Sequence, residues 1–288
     1  SAKYIDTLRK TKKNYKKIYK FSKLRTICST GSPLSEDNFN YVYKNIKTNL
    51  HLASISGGTD IVSCFVLGNL YQSVYSGEIQ SKGLGMDVRV FNEKGKSILN
   101  QKGELVCVNP FPSIPLKFWN DPKDKKFKKA YFNKYKNIWH HGDYAKITNN
   151  KGFIIFGRSD TTLNPGGVRL GTAEIYSEVE RFKEIKESLV VGQSWDNDVR
   201  IILFVILNSK YQLDDNLLKK LKLQIRKNAS PRHVPRKIIQ IKDIPRTKSG
   251  KIVELAVKNI IEGNLIKNKE ALANPESLTQ FKNIKEIQ

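Results

Sequence analysis

Turn-forming residues divide the middle of the chain into short apolar segments, and this pattern constrains the fold more than any other feature. Residues 88–91 (Val-Arg-Val-Phe) precede Asn-Glu-Lys-Gly, and residues 105–108 (Leu-Val-Cys-Val) precede Asn-Pro. Residues 143–147 and 153–156 flank a polar run that ends in Lys-Gly, which is typical of a hairpin. The sequence therefore predicts a β-rich segment that begins at about residue 74.

The regions on either side of this segment alternate between helix and strand patterns, which predicts a chain of α/β and α+β character. Because the pattern changes near Asp160, we predict a first domain over residues 1–159 and a smaller α+β domain over residues 160–288. The predicted helices cover residues 4–20, a segment starting at Ser35, and residues 173–182, 214–227 and 252–261, and a helical polar tail follows them. Outside the β-rich segment, the predicted strands cover residues 24–28, 51–55, 187–191, 200–207 and 237–241.

Composition excludes several classes of protein. No apolar run approaches the roughly 20 residues that cross a bilayer, so no membrane association is predicted. The three cysteines are odd in number and widely separated, which disfavours a disulfide framework and predicts a reducing, cytoplasmic location. A net charge of +24 attracts anions, but the lysines are spread along the chain and no nucleic-acid-binding module is recognisable. Nucleic acid is therefore disfavoured as a partner.

Two glycine-containing segments carry candidate chemistry in the second half of the chain. Residues 245–251 (Pro-Arg-Thr-Lys-Ser-Gly-Lys) place Lys251 on a Ser-Gly turn, where a flexible ammonium can reach a carboxylate and a phosphate together. About ninety residues earlier, residues 157–160 (Gly-Arg-Ser-Asp) are followed by Gly166-Gly167-Val168-Arg169. The glycines permit close approach of backbone to a ligand, and Arg169 can bind phosphate oxygens in a bidentate manner.

In this order, the two segments resemble the end of the adenylate-forming acyl-CoA synthetase family, which activates carboxylic acids with ATP and passes them to coenzyme A. The resemblance covers essentially all 288 residues. It implies part of a large AMP-binding domain followed by a small mobile lid, with a hinge at Asp160. It also implies that Lys251, Thr59 and Arg169 are catalytic.

The resemblance implies further binding residues along the chain. Adenine would stack on Gly31, Ser32 and Pro33, whereas Asp143 and Arg158 would bind the ribose hydroxyls. The family has Thr-Gly-Asp where this chain has His141-Gly142-Asp143. Gly167 would line the pantetheine tunnel, and Arg226 would meet a phosphate of coenzyme A.

The segment Gly57-Gly58-Thr59-Asp60 would contact ATP phosphates and Mg²⁺. Backbone atoms of the glycines and the Thr59 hydroxyl would approach the α-phosphate, and Asp60 would offer an oxygen ligand to Mg²⁺. Most family members have Glu at the position of Asp60, so the shorter side chain suggests a bridging water. Without the resemblance, the glycines are equally well explained as a strand-to-loop turn.

Residues 54–62, 77–80, 231–235 and 273–278 resemble the branch of the family that acts on acetoacetate. Acetate-specific relatives fill the acyl pocket with tryptophan, and Ser56 and Gly57 predict a roomier pocket. Size alone does not select acetoacetate over butyrate, and the sequence identifies no donor for the 3-keto oxygen. Another short-chain acid therefore stays open as substrate.

The family's phosphate-binding loop, a Ser/Thr/Gly-rich run ending in Pro-Lys, does not occur in the sequence, and family members are about twice as long. The chain is therefore expected to be the carboxyl-terminal part of a synthetase. It would act together with the amino-terminal half and catalyse little in isolation. Two alternatives stay open: a non-catalytic module that binds nucleotide or polyanion, and an adenylating domain that serves a separate carrier protein.

Overall fold

The computed structural model describes residues 1–266 and 269–288. They form two compact units, Ser1–Ser159 and Asp160–Gln288, each with hydrophobic clusters of its own. The boundary falls within a 3-10 turn, Ser159–Thr161. The mixed α/β fold predicted from the sequence is confirmed.

A parallel strand pair opens the first unit. Strands β1 (Thr26–Ser29) and β2 (His51–Ser54) lie side by side, with Ser29 opposite Ser54. The predicted helix between them is present as α3 (Glu36–Tyr41), which continues as a π-helical turn over Val42–Ile46. Glu36 and Asp37 occupy the first turn of α3, where acidic side chains complement the helix dipole.

The single basic helix predicted over residues 4–20 is wrong in its middle. The chain instead forms α1 (Ala2–Lys10) and α2 (Tyr15–Ile18), and Lys12 between them has a φ of 57°. The Tyr41 hydroxyl donates hydrogen bonds to the carbonyls of Leu8 and Lys13, at 3.0 and 3.1 Å. This contact from a distant residue fixes the bend, so local spacing alone could not predict it.

The rest of the first unit is β-rich, but this region begins at Ser56 and not at about residue 74 as predicted. One antiparallel sheet contains β3 (Ser56–Gly58), β4 (Ser63–Leu67) and β5 (Ser81–Lys82). A second antiparallel sheet has the order β6 (Val88–Phe91), β7 (Gly103–Cys107), β8 (Trp139–Ile147) and β9 (Phe153–Arg158). Helix α4 (Lys125–Tyr131) packs aromatic side chains against Trp139, and the Tyr131 and Trp139 rings stack with centroids 3.7 Å apart.

The second unit is built on a three-stranded sheet. Strands β10 (Ile185–Trp195) and β11 (Asp198–Leu207) form an antiparallel hairpin, and β12 (Lys237–Gln240) is parallel to β11. Alternate residues of the hairpin supply two separate cores, because successive side chains of a strand point to opposite faces. Three helices accompany the sheet: α5 (Thr172–Val179), α6 (Asp215–Asn228) and α7 (Glu254–Ile261).

One core includes buried residues of α5 and α6, and the other includes Val257 of α7 together with Phe281 and Ile287 of the polar tail. The predicted helical tail forms the 3-10 turns Lys269–Ala271, Pro275–Phe281 and Lys285–Ile287. Across the described ranges 1–266 and 269–288, helices that combine the length and the apolar character of a bilayer span are absent.

Candidate functional site

Two of the predicted ligand-binding segments follow the parallel strands of the first unit. Because β1 and β2 run in the same direction, their carboxyl ends lie at one edge, where ligands bind in open α/β sheets. Gly31, Ser32 and Pro33 follow β1, and Gly57 and Gly58 lie just beyond β2. Gly31 has a φ of 95°, a conformation that favours glycine.

Close packing explains why positions 57 and 58 are glycine. A Cβ atom at Gly57 would overlap the carbonyl oxygen of Ser63 on the neighbouring strand. A Cβ atom at Gly58 would overlap the Asp60 carboxylate and lie 2.7 Å from Cε1 of His141. The space beside Gly57 is thus occupied by β4, which corrects the expectation that Gly57 leaves an open acyl pocket.

Asp60 lies in the turn after β3, next to the exposed Thr59, and contacts two side chains that are distant in sequence. The Tyr131 hydroxyl donates a 2.6 Å hydrogen bond to Oδ2 of Asp60, and Nδ1 of His141 lies 4.0 Å from the same oxygen. Burial, reinforced by the Asp60 carboxylate, raises the pKa of Tyr131, so its hydroxyl remains a proton donor at neutral pH. One oxygen of the carboxylate is thereby fixed in orientation.

His141 is largely buried between aromatic side chains. Its ring meets Phe65 edge to face with centroids 4.8 Å apart, and Nε1 of Trp139 donates to its Nδ1 at 3.4 Å. Burial lowers the pKa of His141, although the carboxylates of Asp143 and Asp60 act in the opposite direction. The imidazole is therefore neutral at pH 7 and acts here as a polar packing group.

The two residues predicted to bind ribose are in contact. Asp143 on β8 is directly opposite Arg158 on β9, and Nη1 of Arg158 donates to Asp143 Oδ1 at 3.2 Å. The same nitrogen donates to the carbonyl oxygen of His141 at 2.8 Å. Asp143 is 7% exposed, whereas the Arg158 side chain is 47% exposed. A buried carboxylate and a solvent-facing guanidinium thus meet at the end of the hairpin.

A buried carboxylate that sequence reasoning missed lies on β7. Glu104 is 1% exposed and accepts hydrogen bonds from Lys134 Nζ at 2.5 Å, His140 Nε2 at 3.0 Å and the Ser159 hydroxyl. Ser159 is the last residue of the first unit. The available signal was a single acidic residue within an apolar strand, which is rare unless the charge is paired.

Replacing Glu104 with alanine is expected to lower the free energy of unfolding of the first unit by about 1–3 kcal/mol, because three hydrogen-bond donors lose a buried, charged acceptor. Urea unfolding followed by tryptophan fluorescence measures this change, and the buried Trp139 reports on the first unit. Asp87→Ala is the matched control, because it removes a more exposed carboxylate that pairs with Arg89. Its expected cost is below about 1 kcal/mol. Equal losses in the two variants would contradict a special role for Glu104.

In the second unit, the Gly166-Gly167 segment lies beside the tip of the β10–β11 hairpin. Gly166 and Gly167 have φ values of 58° and 75°, and the Gly166 N–H donates to both oxygens of Asp198, at 2.8 and 3.0 Å. Hydrogen bonds from the backbone N–H groups of Val199 and Gly166 lower the pKa of Asp198. Gly167 faces open space and lines a cavity of about 640 Å³ together with Trp195 and Asp198.

The arginines predicted for the second unit have different environments. Nη2 of Arg169 lies 3.4 Å from the Thr162 hydroxyl, which it contacts as a donor. Arg226 lies on the exposed face of α6, whereas Leu221 and Ile225 of that helix are buried. Arg232, which was not predicted to bind ligand, has Nη1 only 3.5 Å from the position a Cβ of Gly166 would occupy.

The backbone of Lys251 is fixed by a tight turn. The Thr247 N–H donates to the Lys251 carbonyl at 2.9 Å, and the Gly250 N–H donates to the Thr247 carbonyl at 2.8 Å. The Lys251 N–H donates to Oγ1 of Thr247 at 3.1 Å. Gly250 has a φ of 83°, and the Lys251 residue is exposed. A rigid turn therefore presents a lysine side chain to solvent.

Residues 174–251 match the family described as AMP-binding enzyme C-terminal domain. The chain is 55% identical over 287 residues to acetoacetyl-coenzyme A synthetase of Rhizobium meliloti (strain 1021), covering 100% of this chain and 44% of the relative. It is 50% identical over 267 residues to acetoacetyl-CoA synthetase of Xenopus tropicalis, covering 92% of this chain and 40% of the relative.

Among solved structures, acetoacetyl-CoA synthetase from Streptomyces lividans superposes with a TM-score of 0.90 at 38% identity, covering 98% of this chain and 44% of that structure. A benzoate CoA ligase from Burkholderia xenovorans LB400 shares the fold, with a TM-score of 0.68 at 22% identity, over 81% of this chain and 45% of that structure. The fold and the matched segments are those of the carboxyl-terminal portion of an adenylate-forming ligase. Within that class, the chain is similar to acetoacetyl-CoA synthetases and spans about two fifths of the length of these relatives.

Proposed function

We propose that the chain is the carboxyl-terminal part of an enzyme that activates acetoacetate with ATP and transfers it to coenzyme A. The first step forms acetoacetyl-AMP and diphosphate, and the second forms acetoacetyl-CoA and AMP. The observation that carries this proposal is the 55% identity that extends over 287 residues of the chain. Since the chain spans 44% of that relative, the activity is assigned to the assembled enzyme.

The contacts in the first unit support a nucleotide-binding role for it, as part of the large AMP-binding domain. Asp143 would accept hydrogen bonds from both ribose hydroxyls, since a carboxylate has four acceptor sites. Arg158 contacts Asp143 and has an exposed side chain, so it is available as the second ribose contact. Adenine would lie on Gly31, Ser32 and Pro33 at the edge of the β1–β2 pair.

Mg²⁺ would be held between Asp60 and the phosphates of ATP. The residues fit this arrangement, because Mg²⁺ in nucleotide enzymes binds one or two carboxylates together with substrate phosphates. Tyr131 occupies one oxygen of Asp60 as a hydrogen-bond donor, which leaves the other oxygen as the metal ligand. The described residues contain no cluster of three or more metal-binding side chains, so the phosphates would supply much of the coordination. The ion would neutralise phosphate charge, and Thr59 would contact the α-phosphate.

The second unit would be the mobile lid, joined to the first at a hinge that includes Asp160. Lys251 would approach the carboxylate and the α-phosphate during adenylation, and Arg169 would neutralise phosphate charge. Gly167 faces open space, as a residue that lines a pantetheine tunnel would. Arg226 is exposed on α6 and would meet a phosphate of coenzyme A.

The substrate assignment is tested by comparing acetate, butyrate and acetoacetate in the assembled wild-type enzyme. Acetoacetate is expected to have the highest kcat/KM in acid-dependent formation of AMP and acyl-CoA. An enzyme that prefers acetate would overturn the acetoacetate assignment but retain the acyl-CoA synthetase class. Failure of all three acids, together with tight and salt-sensitive binding of polyanions, would instead favour a non-catalytic binding module.

Ser56 offers a test of the acyl pocket, since Gly57 cannot accept a side chain without displacing β4. Ser56→Trp is expected to reduce kcat/KM for acetoacetate relative to acetate by about 1–3 kcal/mol, the usual size of steric discrimination between short acids. Ser63→Trp, on the facing strand, is the control for general disturbance of the β3–β4 pair. An unchanged acid preference in the Ser56 variant would place the pocket elsewhere.

A further inference from the structure

The chain returns to the lysine turn after α7. Residues 271–274, here named the tail strand, run antiparallel to the segment that leads into the turn. The Ala273 N–H donates to the Arg246 carbonyl at 2.8 Å, and the Lys248 N–H donates to the Ala271 carbonyl at 3.3 Å. Thr247 and Leu272 face each other in the β-bridge between these two hydrogen bonds. The tail strand therefore extends along residues 246–248.

Asn274 joins the tail strand to the same segment through its side-chain amide. Its Oδ1 accepts a hydrogen bond from the Arg246 N–H at 2.8 Å. Its Nδ2 donates to the Ile244 carbonyl at 2.9 Å and to Oδ2 of Asp243 at 2.6 Å. A carboxamide both donates and accepts, so one side chain holds two backbone groups of this segment and the Asp243 carboxylate.

The tail strand is itself anchored by burial. Leu272 and Leu278 are 7% and 4% exposed and pack with Ala256 of α7. The Ser277 hydroxyl donates to the Asn274 carbonyl at 2.7 Å, which fixes the backbone just after the tail strand. The backbone that carries the Asn274 side chain is therefore held in place on both sides.

Thr247 links the tail strand to Lys251. Its backbone faces Leu272, and its N–H and Oγ1 bond to the Lys251 backbone at 2.9 and 3.1 Å. On the other side, the Arg246 guanidinium donates to the Gly250 carbonyl at 3.2 Å and pairs with Glu187 of β10 at 2.8 Å. The turn is thus held between the sheet and the tail strand.

We propose that the tail strand, through Asn274, sets the position of the Lys251 turn, and that Asn274 is a positioning residue for the step that Lys251 serves. The effect on catalysis rests on the proposed function, because it requires Lys251 to act in adenylation. The mechanical link between Asn274 and the turn does not depend on any activity.

Hydrogen exchange measured by mass spectrometry on the 288-residue chain tests that link. In Asn274→Ala, the amides of Lys248, Gly250 and Lys251 are expected to exchange about tenfold faster than in the wild type, because opening of the turn loses hydrogen bonds that oppose it. Amides of the β10–β11 hairpin are expected to keep their wild-type rates. Unchanged exchange in the turn would overturn the proposal.

Asn208→Ala is the matched control, since Asn208 is also a half-buried asparagine whose Nδ2 donates to a backbone carbonyl, that of Lys183 at 2.6 Å. It is expected to leave exchange in the turn unchanged, and acceleration equal to that of Asn274→Ala would overturn the proposal. If Asn274→Ala does not fold, Asn274→Asp replaces it. That variant keeps the acceptor for Arg246, loses both donated bonds and is expected to accelerate exchange in the same amides.

Half-reaction kinetics in the assembled enzyme test the catalytic consequence. Asn274→Ala is expected to lower kcat for acyl-adenylate formation about tenfold while sparing thioester formation from supplied acyl-adenylate. A loss shared equally by both half-reactions, with a lower Tm, would indicate a purely structural residue and overturn the positioning role. A wild-type enzyme that adenylates no acid would instead refute the proposed function, and the exchange result would still decide the link between Asn274 and the turn.

Discussion

Lys251→Ala in the assembled enzyme is expected to lower the rate of acyl-adenylate formation by about 10²–10³-fold or more. A positioned cation that stabilises charge developing in the transition state is worth at least this much in a site that excludes water. Thioester formation from supplied acyl-adenylate is expected to change much less, because the α-phosphate has already been joined to the acid in that substrate. Single-turnover measurement of each half-reaction separates the two steps.

Lys248→Ala is the matched control for Lys251. Both lysines are exposed and lie in the same turn, three positions apart, so the two variants remove the same charge from nearly the same place. Lys248→Ala is expected to retain most of the adenylation rate. An equal fall of both half-reactions in Lys251→Ala, or an equal fall in the two variants, would contradict a specific role for Lys251.

Asp160→Pro is expected to separate the two half-reactions by roughly a hundredfold. Asp160 lies in the 3-10 turn Ser159–Thr161, and proline fixes φ near the value of such a turn. A backbone conformation that proline disfavours costs about 3 kcal/mol or more, which corresponds to roughly a hundredfold in rate. If the lid reorients at this residue, one step is retained and the other is slowed. Adenylation and thioester formation measured on the same preparation give the ratio.

Asp160→Ala controls for the loss of the carboxylate, because alanine removes the charge without fixing φ. This variant is expected to affect the two half-reactions to a similar extent. Equal retention of both steps in Asp160→Pro would refute the hinge at this residue. A proline variant that loses both steps and also unfolds at lower urea concentration would point to a local structural role for Asp160.

Local sequence patterns predicted most of the strands, because each signal is contained within a few residues. The hairpin of residues 143–147 and 153–156 is present as β8 and β9, and the alternating residues of β10 and β11 form the two cores of the second unit. The basic helix of residues 4–20 was wrong in its middle because Tyr41, about thirty residues away, holds the bend at Lys12. A contact between residues so far apart cannot be predicted from the spacing of apolar residues within one helix.

In the candidate site too, local motifs were predicted from the sequence, whereas contacts between distant residues were not. Asp143, Arg158 and Lys251 were predicted from motifs, since the residue types and spacing of a short motif can be recognised in the sequence alone. The partners of those motifs were not predicted: Tyr131 reaches Asp60 from 71 positions away, and Glu104 gathers Lys134, His140 and Ser159. The explanation for Gly57 also changed, because the constraint comes from the facing Ser63 carbonyl.

The sequence by itself determined the resemblance to acyl-CoA synthetases, most of the strands, and the charged residues of the proposed site. Only the tertiary structure decided which side chains orient them: the register of β8 against β9 joins Asp143 to Arg158, and the returning tail strand brings Asn274 to the segment that leads into Lys251. The physical reason is that backbone propensity and turn chemistry act over a few residues. Hydrogen bonds between distant segments depend instead on how buried surfaces pack, which no local pattern encodes.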